Sequence, residues 1–437
     1  MRTRCLWLTA LALAVMCGAA SAKDPVWLSL GADGQVLART IVKKKCSQIT
    51  VDGKVSTMTA RVAPDGKPDT PPTDQRLVCE TDVSGATKVS VGGVQLKMPP
   101  ANPQRILVIG DTGCRIKVEP PDPHDADHDE DQSKVQDCNS GKQWPFKTVA
   151  NAAAKSKPDL IIHVGDYIYR ESACPPDMKK DCGGSPWGDN WATWEADFFS
   201  PAEKLLAAAP WIFVRGNHEI CKREGRGWFY YLDQSPYAKT DFCADDTAAR
   251  IVKVGGFQAL VVDSSNAPDD EPTPAQVAHF AKQFQAASGA NLSHAWFLSH
   301  RPIWAAKAGE KGNRSKLRTL NATLQGAWAD APIAGIDMVV AGHTHLFELL
   351  SFEQALPPQV VVGNGGTDLA HEIKTSLKGQ NIGTATVRNG DSVDEFGYAL
   401  LEPAKDETGW SLHLHDSKGK KKLTCAISGN TTQCQDK

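Results

Sequence analysis

Five apolar segments of this chain end in residues that commonly bind metal ions. The central segment runs through Leu160-Ile-Ile-His-Val164 and ends in Gly165-Asp166, with Tyr169 three residues later. Short runs of this kind are typical of strands buried on both faces of a parallel sheet, and ligands bind at the carboxyl ends of such strands. The other four segments end in the following residues: Asp111, Asn217-His218-Glu219, His300, and His343-Thr344-His345.

A single carboxylate after a strand would indicate only a residue that caps the next turn. A series of five strand ends with carboxylate, amide, phenol and imidazole groups instead favours a metal centre, because these groups are common metal ligands in proteins. We therefore predict that the five strands belong to an α/β fold and that their ends meet at one site.

The first residues have the pattern of a secretory signal. Met1 to Arg4 is basic, Leu6 to Cys17 is apolar, and Ala20-Ser21-Ala22 has the form of a cleavage site, which predicts a signal peptide at 1–22 and a secreted or periplasmic protein. A lipoprotein anchored through Cys17 is the alternative, although Met16 fits it poorly. The rest of the chain has 46 basic and 51 acidic residues, which argues against nonspecific nucleic-acid binding.

Ten of the twelve cysteines remain after residue 22, an even number that predicts disulfides in an oxidising compartment. A zinc site is the alternative, but the chain contains no C-x-x-C pair. No later apolar stretch is long enough to span a membrane, so we expect no membrane span. Pairing of nearest neighbours predicts these bridges: Cys46 with Cys79, Cys114 with Cys138, Cys174 with Cys182, Cys221 with Cys243, and Cys425 with Cys434.

The chain divides at the proline-rich linker 99–103. Short alternating runs between turn formers predict a small all-β N-terminal domain at 23–102, and the site segments lie in a larger domain at 104–437. Two β-rich halves flanked by helices predict that the larger domain is a four-layer α-β-β-α sandwich. The expected helices cover 144–156, 191–208, 273–287 and 315–328.

Three segments near the site have more than one interpretation. The acidic insertion 120–137, with His124 and His128, is predicted to be a solvated loop, and metal binding is its alternative. The aromatic residues 228–231 belong either to the core or to a substrate platform. The glycine-rich turn 362–366, followed by His371, either borders the site or lies away from it.

In order, the motifs Gly-Asp111-x-Gly113, Gly-Asp166-x-x-Tyr169, Gly-Asn217-His218-Glu219, His300 and Gly-His343-x-His345 resemble the signature blocks of the calcineurin-like metallophosphoesterases. More narrowly, they resemble those of the purple acid phosphatases. Gly113 stands where most of the calcineurin-like metallophosphoesterases have a histidine, and Tyr169 can replace that lost metal ligand. The resemblance covers about residues 104 to 365.

The resemblance implies a binuclear metal centre with Asp166 as the bridging ligand. One metal would be held by Asp111, Asp166, Tyr169 and His345, and the second by Asp166, Asn217, His300 and His343. Hard phenolate and carboxylate ligands suit Fe(III) at the first position, and imidazole with amide oxygen suits divalent Zn, Fe or Mn at the second. His218 would bind phosphate and protonate the leaving group.

The implied function is hydrolysis of small-molecule phosphomonoesters by attack of a metal-activated water. A phosphodiesterase similar to acid sphingomyelinase or to nucleotide-cleaving enzymes is the alternative, and a noncatalytic phosphate- or cell-surface-binding protein is a third hypothesis. Tyr169 has its own alternative as a core aromatic, with Tyr167 beside it. The histidines expected to be structural are His163, His279, His294, His413 and His415.

Overall fold

The computed structural model describes residues 24–61, 76–118, 134–237, 242–289, 291–309, 317–405 and 409–436. The expected signal peptide at 1–22, with the alternative anchor Cys17, lies outside these ranges, as do His124 and His128 of the acidic insertion. Two large sheets stack face to face and helices cover their outer faces, so the predicted four-layer α-β-β-α sandwich is confirmed.

The larger of the two sheets, here called the large sheet, has eleven strands. Its centre is parallel, with Leu160–His163 between Ile106–Ile109 and Trp211–Phe213. In spatial order the strands are Thr431–Asp436, Lys421–Ser428, Trp410–Asp416, Gly397–Pro403, Ile106–Ile109, Leu160–His163, Trp211–Phe213, Val26–Leu30, Val36–Val42, Leu77–Asp82 and Thr59–Ala60.

The second sheet, here called the small sheet, has eight strands. Its four strands from Phe257–Val261 to Gln359–Val362 in the order below are parallel. The strands in spatial order are Arg250–Val254, Phe257–Val261, Ala295–Leu298, Ile336–Ala341, Gln359–Val362, Phe347–Phe352, Ala385–Val393 and Asn381–Ile382.

Apolar side chains fill three layers around these sheets. Residues such as Ile162 and Val340 pack between the sheets, whereas Ile161 and Val339 face the helices outside them. The central strands are therefore buried on both faces, which explains why their sequences are continuously apolar rather than alternating. The longer covering helices are Phe146–Lys155 on the large sheet, and Pro274–Ser288 and Ala322–Asp330 on the small sheet.

The helix expected at 191–208 is interrupted. It consists of Trp191–Trp194, a π-helical turn Glu195–Phe199 and a short helix Glu203–Leu206. Pro201 lies at the break, where it has no N–H to donate and cannot continue the helix. The other short helical elements are Ala32–Gly34, Pro176–Met178, Lys179–Cys182, Asn217–Glu219, Gly225–Gly227 and Trp228–Leu232.

The helix expected at 315–328 is wrong in its first part. Leu317–Leu320 is a strand that pairs with Ala305–Ala308, and the helix begins only at Ala322. Asn321 caps that helix by accepting a hydrogen bond from Leu324 N at 3.1 Å. Pairing with a neighbouring strand therefore outweighs the helical pattern of the segment.

The N-terminal region is all-β, as predicted, but its strands are shared between two sheets. Val26–Leu30 pairs with Val36–Val42 and lies parallel to Trp211–Phe213, so four N-terminal strands extend the large sheet. A separate sheet contains Lys54–Thr57, Gln48–Val51, Val89–Val91 and Val94–Leu96. The largest sheet therefore contains strands from both sides of the boundary predicted between residues 102 and 104.

Two buried arginines attach this region to the segment that follows Trp228. Arg39 donates to Leu232 O at 3.1 Å, and Arg61 donates to Asp233 O at 3.1 Å. Both guanidinium groups also pair with Glu80. The N-terminal strands thus contact the rest of the chain through hydrogen bonds from buried guanidinium groups to backbone carbonyls as well as through the sheet.

All five predicted disulfides are present, each between nearest neighbours in sequence. The Cys114–Cys138 bridge closes the two ends of the acidic insertion, where Ile116–Lys117 and Lys134–Val135 form a two-stranded ribbon. Within the described ranges, no helix is both long and apolar enough to cross a bilayer.

Candidate metal centre

Both sheets send polar side chains to the same place. The loops after the three central strands of the large sheet carry Asp111, Asp166, Tyr169 and Asn217. The loops after two strands of the small sheet carry His300, His343 and His345. The structure brings all seven predicted side chains together in two sets that share one carboxylate.

The first set surrounds the hydroxyl of Tyr169. This Oη lies 2.7 Å from Asp166 Oδ2, 3.1 Å from Asp111 Oδ1 and 2.8 Å from His345 Nε2. One ligand atom each from Asp111, Asp166 and His345 also falls within a mutual 4.8 Å. Ligands at about 2.1 Å from one metal ion are themselves separated by about 3 Å, so the spacing fits a single ion.

The second set surrounds the amide oxygen of Asn217. Its Oδ1 lies 2.9 Å from His300 Nε2 and 3.0 Å from His343 Nδ1. His300 Nε2 is also 3.2 Å from Asp166 Oδ2, the same atom that contacts Tyr169. The two sets therefore meet at one oxygen of Asp166, and their oxygen and imidazole atoms are chemically suited to two metal ions.

Four of the seven residues have left-handed backbone conformations. Their φ angles are 56° for Asp111, 59° for Asp166, 74° for His343 and 50° for His345. Such angles are unfavourable for residues other than glycine, and they persist where the surrounding structure enforces them. Their concentration at these strand ends is typical of a functional site.

The charges of the two buried acids depend on each other. Burial and the neighbouring Asp166 raise the pKa of Asp111 well above its usual value. Burial also opposes ionisation of Asp166, but His300 and His218 outweigh it and hold the pKa of Asp166 well below its usual value. Two adjacent buried carboxylates require positive charge nearby, which is a further reason why cations fit this site.

Glu219 supports the shared carboxylate from behind. It accepts hydrogen bonds from the backbone N–H groups of Asp166 at 3.0 Å, Tyr167 at 2.8 Å and Gly216 at 2.9 Å. Burial, followed by Asp166, raises the pKa of Glu219 to about 8. A Cβ at Gly216 would lie 2.1 Å from Asp166 Oδ1, so this turn requires glycine. Glu219 therefore orients the loop.

Gly113 and Tyr169 are linked by steric contact. A Cβ at Gly113 would lie 2.7 Å from Tyr169 N and 2.8 Å from Tyr167 O. Asp197 holds this arrangement by accepting from the backbone N–H groups of Cys114 at 3.2 Å and Tyr169 at 3.0 Å. The backbone that carries the phenol therefore leaves no room for a side chain at position 113.

His218 lies beside both sets. Its ring is 3.8 Å from the ring of Tyr169 between centroids, and its Nε2 is 3.8 Å from Asp166 Oδ2. On the other side of the ring, Nδ1 lies 2.5 Å from Glu171 Oε1. Burial and then Arg223 lower the pKa of His218. The ring is thus held between a carboxylate and the proposed ligand atoms.

Glu171 and Arg223 are site residues that the sequence motifs missed. Arg223 Nη2 lies 2.5 Å from Glu171 Oε1 and 3.3 Å from His218 Nε2. Burial opposes ionisation of Glu171, but Arg223 and His218 outweigh it and hold the pKa of Glu171 well below its usual value. The sequence marks them only by position, since Glu171 is two residues after Tyr169 and Arg223 is five residues after His218.

Among the residues that the structure describes, the remaining histidines lie outside the two sets. His163 stacks on Tyr167 with 3.9 Å between centroids, and burial followed by His300 lowers its pKa, which agrees with a structural role. His371 is exposed, whereas a Cβ at Gly363 would lie 3.1 Å from Asp111 Oδ2, so the glycine-rich turn borders the site. The aromatic residues at 228–231 are buried, which favours the core interpretation.

Comparisons with known proteins agree with this geometry. A family model described as calcineurin-like phosphoesterase matches residues 104–347. The structure of the purple acid phosphatase PPD1 from yellow lupin seeds has a TM-score of 0.55 and 15% identity, over 92% of this chain and 74% of that chain. A structure of PhoD has a TM-score of 0.56 and 11% identity, over 94% and 91% of the two chains.

A third solved structure, GAP50 of Plasmodium, is less similar. It has a TM-score of 0.42 and 12% identity, over 75% of this chain and 90% of that chain. The comparison with curated protein sequences gave no match. At these identities the structural similarities concern the fold alone, while the family match covers more than half of the chain.

Proposed function

The chain belongs to the calcineurin-like phosphoesterase family, and we propose that it is a secreted or periplasmic phosphomonoesterase with two metal ions, similar to the purple acid phosphatases. Membership of the family makes it a metal-dependent phosphoester hydrolase. The observation that carries the finer proposal is the convergence of two donor sets on Asp166 Oδ2, with His218 beside them.

The two sets would hold chemically different ions. Fe(III) suits the first set, because phenolate and carboxylates are hard ligands, and a divalent Zn, Fe or Mn suits the imidazole-rich second set. When bound, such a pair supplies a nucleophilic water near neutral pH and stabilises charge on phosphoryl oxygens. The first set is Asp111, Asp166, Tyr169 and His345, and the second is Asp166, Asn217, His300 and His343.

His218 would donate the proton that the leaving oxygen requires. The contact of Nδ1 with Glu171 orients the ring and turns Nε2 toward Asp166. A positioned acid of this kind increases rates by about 10²- to 10⁴-fold. Glu171 is therefore a positioning residue in this proposal, and His218 is the residue that contacts the substrate.

Arg223 supports the preference for monoesters over diesters. Its guanidinium lies 3.3 Å from His218 Nε2 and is partly exposed, so it can donate to an anionic oxygen of a substrate bound there. A phosphomonoester presents one more anionic oxygen than a diester, and guanidinium groups bind such oxygens well. Two nitrogen donors on one side of the site thus favour the more highly charged substrate.

The experiment is to purify the chain without residues 1–22, measure its metal content, and compare hydrolysis of p-nitrophenyl phosphate with bis-p-nitrophenyl phosphate. We expect about two metal ions per chain and a higher kcat/KM for the monoester. Protein that contains both metals and hydrolyses neither ester would contradict the proposal. A preference for the diester would favour the phosphodiesterase hypothesis.

The proposed location outside the cytoplasm has separate support. Five disulfides form in the structure, and bonds of this kind persist in oxidising compartments. Export of the full chain in a bacterial or eukaryotic host, with sequencing of the new N-terminus, would test cleavage after Ala22. We expect no nucleic-acid partner for this acidic chain.

A further inference from the structure

We propose that Asp269 is a positioning residue that fixes the tautomer and orientation of His343 for the second metal ion, an inference that rests on the proposed function. Asp269 belongs to none of the motifs. It lies in the connection between the strand Phe257–Val261 and the helix Pro274–Ser288, and its side chain is buried.

Asp269 makes three short contacts through its carboxylate. Oδ2 lies 2.6 Å from His343 Nε2 and 2.7 Å from Arg301 Nη1. Oδ1 accepts from Asn321 Nδ2 at 2.6 Å. The backbone of Asp269 is fixed as well, because its carbonyl accepts from Ala322 N at 2.9 Å, at the start of a helix.

These contacts determine which nitrogen of His343 carries the hydrogen. Nε2 of His343 lies 2.6 Å from Asp269 Oδ2, which only accepts hydrogen bonds, and 3.1 Å from Arg301 Nη1, which only donates them, so the shorter contact with the carboxylate favours the hydrogen on Nε2. The lone pair of the neutral ring is then on Nδ1, which lies 3.0 Å from Asn217 Oδ1. Asp269 therefore aims the free nitrogen of His343 at the second donor set, as carboxylates do behind metal-bound histidines.

The contacts of Asp269 described above lie on the side of the second set. Arg301 directly follows His300, so Asp269 connects the segments of two ligands that belong to the second set alone. His300 has an acceptor of its own, because its Nδ1 lies 2.8 Å from Val164 O. Loss of Asp269 should therefore disturb His343 first and leave the first donor set in place.

Asp269→Asn is an informative change because Arg301 and Asn321 donate to the carboxylate and His343 lies within hydrogen-bond distance of it. An amide has only one acceptor oxygen, so in either orientation its NH₂ group faces another donor. Asp269→Ser is the second variant, since it removes the acceptor without that repulsion and leaves room for water. A folded Asp269→Ser chain keeps the test valid if Asp269→Asn does not fold.

Asp197→Asn is the matched control. Asp197 is also a buried carboxylate with three donor partners, but two of them are the backbone N–H groups of Cys114 and Tyr169, beside the first set. The third is Arg170 Nε. The same chemical change is thus made behind each set, which separates a specific effect on one metal from a general effect of burying an amide.

The measurement is the number of metal ions per chain after equilibration with buffers of graded free zinc or iron, together with the melting temperature of the metal-free protein. For the Asp269 variants we expect the second metal to bind about 10- to 100-fold more weakly while the first is retained. For Asp197→Asn we expect the weaker binding at the first metal.

The inference is overturned if the Asp269 variants bind both metals as the unaltered chain does, or lose both together at a normal melting temperature. The outcome for the proposed function is separate. If the unaltered chain itself binds fewer than two ions, the binuclear centre fails, whatever the variants do.

Discussion

The two sheets contribute different chemistry to the site. The large-sheet loops supply oxygen donors from Asp111, Asp166, Tyr169 and Asn217, and the small-sheet loops supply three imidazoles. Each donor set takes atoms from both sheets, so each proposed metal would link one side of the sandwich to the other. The large-sheet loops, here called the oxygen side, supply the negative charge. The small-sheet loops, here called the nitrogen side, make metal binding sensitive to acid, because imidazole must be neutral to bind a metal.

The two sides also hold their ligands differently. The carboxylates accept hydrogen bonds from backbone N–H groups, as in the donation from His218 N to Asp166 Oδ1 at 2.9 Å. Two of the three imidazoles instead have an acceptor behind them, Val164 O for His300 and Asp269 for His343. The carboxylates are therefore held by donors and these two imidazoles by acceptors, and we expect each side to bind metal more weakly when its supporting group is changed.

The largest expected effect comes from removing the atom at which the two sides meet. Asp166→Asn should lose both metals and nearly all turnover, because Asp166 Oδ2 contacts members of both sets and catalysis needs both ions. Metal analysis and p-nitrophenyl phosphate rates would measure this. A variant that keeps one tightly bound metal would contradict this prediction, since the two donor sets would then not depend on a shared ligand.

The next effect concerns a residue that contacts the site without belonging to either donor set. His218→Ala should keep both metals and lower kcat by about 10²- to 10⁴-fold, as expected for loss of a general acid. The deficit should be smaller for esters whose leaving group needs no proton. Loss of metal, or an equal deficit on good and poor leaving groups, would make this histidine structural.

A more limited change tests the phenol on the oxygen side. If Fe(III) binds the first set, Tyr169→Phe should abolish a visible charge-transfer band while the second metal remains. Tyr167→Phe is the control, because its hydroxyl donates to Val214 O at 2.9 Å and is not part of either donor set. A chain that is colourless before mutation, yet active, would exclude the iron–phenolate version and leave the broader family assignment.

The smallest effect is on stability, and it concerns Glu348 in the small sheet, whose loops form the nitrogen side. Burial raises the pKa of Glu348 from about 4.5 to about 8, with one backbone donor, Ala306 N, at 3.2 Å. Between these values the folded chain holds a proton on Glu348 that the unfolded chain releases, so the contribution of Glu348 to stability is largest below about pH 4.5 and is lost as pH rises to about 8. The slope is at most about 1.4 kcal/mol per pH unit.

Glu348→Gln should flatten this dependence. Urea unfolding of the metal-free protein at pH 5.5 and 7.5, with disulfides intact, would measure it, and the exposed Glu353→Gln is the control. If the free energy of unfolding of Glu348→Gln has an unchanged slope against pH, the pH dependence comes from other groups. The difference between the oxygen side and the nitrogen side is then limited to the residues at the site.

The sequence predicted which side chains meet at the site, because each one follows an apolar strand. Asp111 and His300 are examples, since in both cases the strand and the ligand lie within a few residues of each other. Local patterns of this kind determine which face and which end of a sheet a residue occupies. The four-layer arrangement followed from the same patterns, because strands buried on both faces need helices outside them.

The supporting residues could not be predicted in this way. Glu171, Arg223 and Asp269 act through contacts with side chains from other segments, and neither a spacing nor a motif marks them. The strand Leu317–Leu320 was missed for a related reason, since its pairing with Ala305–Ala308 outweighs the local helical pattern. Contacts between distant segments decide these features, and a single sequence does not show them.

The position of the first strand has a consequence for the order of folding. Val26–Leu30 pairs with its hairpin neighbour, but its other edge is occupied by Trp211–Phe213, from about 180 residues later in the chain. Until that segment has been synthesised, the first hairpin has an open strand edge that can pair with other chains. Closure of this long loop should therefore be slow, and chaperone binding would be most useful before residue 213 emerges.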